Sequence, residues 1–143
     1  MHLTAFTDFA LRALMRLAGD PTRSFATSEI AAEFGISRNH LAKIVGGLAA
    51  SGFVTTQRGV GGGLSLAQPP QSITLGQVVR ALEAEALVEC FRADGGACVL
   101  TTRCRLKSRL AAAREAFLRE LDATTLAECA YLPPKRKQTA DAA

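Results

Sequence analysis

The chain has few of the features that would place it in a membrane or an export route. No apolar run approaches the roughly 18 residues a membrane span requires. The N-terminus has no basic segment leading into an apolar core and a cleavage site, so no secretory signal is visible. A cytoplasmic location is expected. Histidine is scarce: His2 and His40 are the only two, and neither has an obvious acidic partner in sequence. A small metal- or thiol-dependent enzyme needs a base beside its nucleophile, so catalysis is the most distant reading. No C-x-x-C pair occurs, which argues against the usual zinc knuckles and ribbons. Nor is there an internal repeat.

The most informative absence concerns charge. Between Glu33 and Glu83 there is no acidic residue, while Arg38, Lys43, Arg58 and Arg80 fall inside that window. With a net charge of +4 over the chain, such a window suits contact with a polyanion; chance clustering in a small basic protein is the plainer account. What is present fits one folded domain: 143 residues, 48% hydrophobic and 21% charged.

Phe6, Phe9, Ala10, Ala13, Leu14 and Leu17 recur at helical steps and predict a helix from about Thr7 to Ala18, ended by Gly19-Asp20-Pro21. Asp8 lies in its first turn and four residues before Arg12, a spacing that suits the helix dipole and an ion pair. Thr27 can cap a second helix that buries Ile30, Ala31 and Phe34 and stops at Gly35. Ser37 can cap a third, with Leu41, Ile44, Val45 and Leu48 on one face and Gly52 at its C-terminal end. Two short helices joined by a glycine-containing turn make a helix-turn-helix. The outer face of the third helix carries Ser37, Arg38, Asn39, His40 and Lys43 near its start, where side chains reach base edges in the major groove. Ala42, Gly46 and Gly47 would let it sit deep. An ordinary helical hairpin with a solvated face is the competing account.

Phe53–Arg58 and Leu64–Leu66 read as two short strands around Gly59-Val60-Gly61-Gly62-Gly63. This hairpin forms a wing, and Arg58 with the bare amides of Gly61 and Gly62 can approach DNA phosphates or the minor groove. A nucleotide-binding loop fails as an account of these glycines. The last glycine of G-x-G-x-x-G would fall on Leu64, and no Gly-Lys-Ser/Thr follows. Beyond Pro69-Pro70, Thr74 and Gln77 make a capping box, with Ile73 and Val78 as its staple. They open a helix carrying Leu75, Val78, Val79 and Leu82. A long helix is expected from about Arg105 to Leu121. Its stripe of Leu106, Leu110, Ala113, Phe117 and Leu121 can be a seam between two chains or can pack on its own domain. Thr125 and Glu128 box a short helix through Tyr131, and residues 132–143 look disordered.

Three of the four cysteines lie between these helical patterns, spaced Cys90-x7-Cys98-x5-Cys104, with Cys129 further on. In a reducing compartment this points to metal binding or redox sensing before structural bridges. Three thiolates from one loop fit an iron–sulfur cluster; zinc, a thiol–disulfide switch and inert thiols are the alternatives. A fourth ligand could come from Cys129, Asp8, His2 or His40.

The segments Leu3–Leu14, Gly35–Leu41, Arg58–Leu64 and Leu87-Val88-Glu89-Cys90-Phe91 resemble, in order, those of NsrR-type nitric-oxide-sensing repressors, across residues 1 to about 131. These belong to a wider family of dimeric winged-helix regulators that includes the iron–sulfur biogenesis repressor IscR. The resemblance implies a mainly α fold with a small β-hairpin wing: a winged helix-turn-helix DNA-binding region over residues 1–83, an iron–sulfur sensor loop over 84–104, and a dimerisation helix and C-terminal helix over 105–131. It implies a homodimeric repressor of a double-stranded DNA operator, with nitric oxide as signal. It further implies a 4Fe-4S cluster, with 2Fe-2S as the alternative, held by Cys90, Cys98, Cys104 and, from the other subunit, Asp8. Lys107 stands where the IscR branch has a ligating histidine, which speaks against that branch. The seven-residue first gap is longer than is usual in the family, and Cys129 reads as a buried helix residue. A regulator sensing iron–sulfur status or thiol oxidation on the same scaffold is the alternative.

Overall fold

A computed structural model describes residues 2–84 and 86–135; the expected disordered tail from residue 136 onward lies outside the described residues. The elements run α1 (Ala5–Ala18), α2 (Thr27–Phe34), α3 (Arg38–Ala50), β1 (Val54–Gln57), β2 (Gly63–Leu66), α4 (Leu75–Leu82) and α5 (Arg105–Asp122), with short 3-10 turns between and after them. No helix among the described residues is long and apolar enough to cross a membrane.

The first helix starts earlier than its apolar periodicity suggests, because Thr4 caps it by accepting from the Thr7 amide. Thr27 does not cap α2. Ala26 holds that position without a side-chain bond, and Thr27 is the first helical residue. Gly35 closes α2 in the left-handed region at φ 64°, and Ser37 caps α3 through the His40 amide at 3.1 Å. Ser51, not Gly52, is the C-terminal cap of α3, with Gly52 just beyond it at φ 79° and the Phe53 amide bonded back to the Leu48 carbonyl.

Ala10, Leu14 and Leu17 of α1, Ile30 of α2, and Leu41, Ile44 and Leu48 of α3 are buried together with Phe25, Leu64, Ile73 and Val78. The periodic apolar positions thus meet in one core, whose burial is the main stabilising term. β1 and β2 pair antiparallel, Val54 opposite Leu66 and Gln57 opposite Gly63. Phe25 adds an isolated antiparallel bridge to β2 by exchanging both backbone bonds with Leu64, at 2.8 and 2.7 Å. The wing is therefore fastened to the segment ahead of α2 as well as to α3. A side chain at Gly63 would run into the Phe25 carbonyl, which explains a glycine there.

The capping box of α4 forms with both bonds, and Ile73 and Val78 are buried as the staple requires. Thr125 and Glu128 also form their box, but they open a 3-10 turn, Leu126–Cys129, in place of a helix reaching Tyr131. The Tyr131 amide instead bonds the Met15 carbonyl and ties the chain's end to α1. Cys129 is half-buried on that turn.

Along the 18 residues of α5 only Leu118 is buried. Leu106 and Ala113 are exposed, and Leu110, Phe117 and Leu121 are half-buried. The helix is held to α4 by Leu118 and by a bidentate Arg80–Asp122 pair at 2.6 and 2.8 Å. That pairing holds the Asp122 carboxyl below its ordinary value and the Arg80 guanidinium above its own.

Candidate nucleic-acid interface and metal centre

The N-terminal turn of α3 presents Ser37, Arg38, Asn39 and Lys43, all exposed. Because Ser37 spends its hydroxyl on the cap, its neighbours point outward from a fixed helix start. His40 differs from the outward set. It is half-buried and meets the Phe9 ring edge-on, with centroids 5.5 Å apart and planes at 72°. Gly46 has open space on its outer side. Gly47 does not: a Cβ there would come within 2.8 Å of Phe6 Cζ. Its smallness serves the packing of α1 on α3 rather than depth in a groove.

On the wing, Arg58 and Gly61 are exposed and Gly62 is half-buried, its amide bonded to the Gly59 carbonyl at 3.1 Å. Gly62 lies against the Gln57 carbonyl, where no Cβ fits, so its part is to close the tip. Val60 stands fully exposed there, a contact candidate that alternation within so short a strand pair does not reveal.

The cysteine segment follows α4 and has little regular structure, with 3-10 turns at Glu89–Phe91 and Thr101–Arg103. Cys90, Cys98 and Cys104 are all half-buried. Cys90 borders a cavity of about 720 Å³ that Phe91, Lys107, Arg114 and Glu115 also line. Of the three thiols only Cys90 lines that space; three soft thiol donors on one segment suit a thiolate-bound metal group by their chemistry. Within one chain, among the described residues, no three His, Cys, Asp or Glu side chains converge as metal ligands. The loop's end is apolar and uncovered: Val99 is 92% exposed, and Leu100 and Leu106 are exposed with it.

Asp8 makes the pair its spacing predicts, bonding Arg12 at 2.6 and 3.1 Å with about half of each side chain in solvent. Arg12 also lies 5.1 Å over the Phe9 ring. One turn earlier, Glu83 at the end of α4 accepts from the Thr4 amide at 2.7 Å and the Thr4 hydroxyl at 2.9 Å. Burial alone would raise the Glu83 carboxyl, but hydrogen bonds from Thr7 and Thr4 and the nearby His2 bring it below its ordinary value. Glu83 thus joins the root of the cysteine loop to the start of the helix that carries Asp8. Sequence spacing could not show this, since the partners lie 79 residues apart.

Comparison with known proteins agrees with this architecture. Residues 3–131 match the family model Rrf2, described as an iron-dependent transcriptional regulator. The chain is 49% identical over 130 residues to the HTH-type transcriptional regulator NsrR of Geobacillus kaustophilus (strain HTA426), covering 90% of this chain and 88% of that protein. The oxidized form of Staphylococcus aureus CymR superposes with a TM-score of 0.71 at 27% identity, covering 93% of this chain and 99% of that one. IscR of T. potens shares the fold at a TM-score of 0.71 and 23% identity, over 90% of this chain and 85% of its own. With the family model spanning nearly all described residues and the winged helix in place, the chain belongs to the Rrf2 family of transcriptional regulators.

Proposed function

We propose that the chain is a homodimeric transcriptional repressor that senses nitric oxide through an iron–sulfur cluster, four-iron and four-sulfur in type, held by Cys90, Cys98, Cys104 and Asp8 of the partner subunit. The observation that carries the reading is the 49% identity to a regulator named NsrR across 90% of the chain. The position of three thiols between the winged helix and α5 supports it. When bound, the cluster supplies a thiolate-held iron centre with which nitric oxide reacts.

The chain's own residues divide the remaining work. Arg38, Asn39 and Lys43 enter the major groove while Ser37 and Arg58 meet phosphates, and the wing tip, closed by the Gly62 amide on the Gly59 carbonyl, brings the Gly61 backbone close. The apolar surface of Val99, Leu100 and Leu106, with the open face of α5, supports pairing of two chains. Asp8 would be the weakest of the four donors to such a cluster, because a carboxylate is a harder ligand for its iron than thiolate. Its exposed pair with Arg12 is worth only about 0.5 kcal/mol and does not bind it to its own chain. The helix that carries it rests on α3 through Phe6 on Gly47 and Phe9 on His40, so a change of ligation at Asp8 would be felt at α3. Two recognition helices displaced from their spacing would no longer match half-sites about 34 Å apart.

Anaerobic purification with iron and sulfide analysis, followed by nitric oxide titration read by absorbance and operator binding together, tests this reading. The expected result is loss of cluster absorbance in step with loss of binding. Protein without cluster absorbance, or binding indifferent to nitric oxide, would overturn it. The likeness to an oxidized CymR supports a second reading, a thiol-redox regulator. In that case an oxidant would change operator binding in iron-free protein.

A further inference from the structure

The seven residues between Cys90 and Cys98 form a closed excursion with its own internal bonds. At its base the Ala97 amide donates to the Glu89 carboxylate at 2.8 Å. The Arg92 amide bonds the Glu89 carbonyl at 3.1 Å, and the Gly95 amide bonds the Arg92 carbonyl at 2.9 Å. Asp94 accepts from the Gly96 amide at 3.0 Å and pairs with Arg92 at 2.9 Å. Gly95 and Gly96 stand at φ 75° and 60°, two successive left-handed residues of the kind that reverse a chain tightly. A Cβ on Gly96 would overlap Glu89 Cγ and come within 2.8 Å of the Glu89 carbonyl oxygen. Residue 96 is therefore packed against residue 89 with no space between them.

We infer that Glu89 is a positioning residue that clamps the base of this excursion, so that Cys90 and Cys98 leave it from a common point and act as neighbouring ligands. A flexible eight-residue stretch would hold its ends roughly 16 Å apart on average; here a side-chain bond and a glycine contact replace that freedom. The long first gap is then no obstacle to a shared metal group, because its extra length is folded out of the way. Glu89 contributes its oxygen to the Ala97 amide and is not itself a ligand. The inference deepens the proposed cluster site and rests on that reading for the purpose of the clamp, while the clamp's geometry is testable without iron.

The experiment uses the full-length, iron-free, reduced protein with Cys104→Ser and Cys129→Ser, leaving Cys90 and Cys98 as its thiols. Dibromobimane, which fluoresces when it bridges two nearby thiols, reports how often the pair meets. Glu89→Ala should slow bridging at least fivefold, and Gly96→Ala should slow it similarly by adding both overlap and an unfavourable φ. Glu89→Gln keeps an oxygen for the Ala97 amide and should bridge at close to the parent rate, a rescue that a loss of general loop stability would not produce. In the four-cysteine protein, Glu89→Ala should lose cluster iron to a chelator faster than Glu89→Gln. Equal bridging in Glu89→Ala, Gly96→Ala and the parent would overturn the inference, as would equal iron loss in the two Glu89 variants. Absence of iron in anaerobically purified parent protein would instead refute the cluster reading, whatever the bridging rates.

Discussion

Removing the Glu83 carboxylate tests whether the cysteine loop and the first helix are physically joined. Glu83→Ala takes away the acceptor of the Thr4 amide and hydroxyl, two bonds of 2.7 and 2.9 Å. Hydrogen bonds to a charged group contribute about 1.5–3 kcal/mol each when well buried. Glu83 is half-exposed, so water recovers much of that and the net loss should be about 1 kcal/mol. Urea unfolding of the iron-free protein at fixed concentration measures it. The same group makes a pH prediction. Its folded value is lowered from an ordinary 4.5, so its stabilisation is complete above that ordinary value and is lost as pH falls through the lowered folded one. The parent should therefore lose stability relative to Glu83→Gln as pH falls below about 4.5. Asp122 and Glu128, also lowered, add an acid limb common to both proteins, so only the difference is diagnostic. An alanine variant as stable as the parent, or an acid limb equally steep in the glutamine variant, would show that this carboxylate does not hold α1.

Three further outcomes are expected. The Arg16 guanidinium is 5% exposed, bonds Glu33 at 2.8 and 3.3 Å and lies 4.6 Å over Phe25; Glu33→Ala strands that buried charge and should cost about 2–3 kcal/mol in urea unfolding, more than Arg16→Met at about 1 kcal/mol, and the reverse order would refute the argument. Gly46→Ala should stabilise α3 by up to about 1 kcal/mol because nothing opposes its methyl, whereas Gly47→Ala should destabilise by about 1 kcal/mol by pressing on Phe6; equal effects would remove the case for α1–α3 packing at Gly47. Arg38→Ala should lower operator affinity about tenfold and flatten its salt dependence by about one unit of slope. Its cluster absorbance should stay intact, and a loss of absorbance there would tell against a DNA-contact role.

Local chemistry made the DNA-binding half readable from residues alone. Helix periods, the Ser37 cap, left-handed Gly35 and Gly52, and the Thr74–Gln77 box are short-range devices whose geometry follows from residue type. The misreadings arose where short-range cues compete. Thr27 and Ala26 are both positioned to precede α2, and the backbone bonds of residues 29 and 30 to the Ala26 carbonyl place the start one residue earlier. Gly47 looked like a groove-facing residue because nothing in sequence shows that Phe6 crosses it. Long-range side-chain links such as Glu83–Thr4 and Arg16–Glu33 leave no periodic trace, and neither does the Glu89 clamp, whose signal was only an acid and two glycines among many.

The neighbours of α1 hold it more firmly than the Asp8–Arg12 pair does. Asp8 has an exposed partner in Arg12, four residues on, a contact too weak to specify anything. The same helix is fixed elsewhere by stronger contacts: Glu83 at its start, Phe6 on Gly47 and Phe9 on His40 along α3, and buried Arg16 on Glu33 of α2. A helix held at so many points moves as a rod, since densely packed contacts do not deform one by one. A force applied at Asp8 therefore reaches both helices of the DNA-reading pair, and through Phe25, whose ring lies under Arg16 and whose backbone pairs with Leu64, it reaches the wing as well. The Asp8–Arg12 pair is thus the weakest of the α1 contacts, and the remaining ones connect the helix that carries Asp8 to α2, α3 and, through Phe25, to the wing.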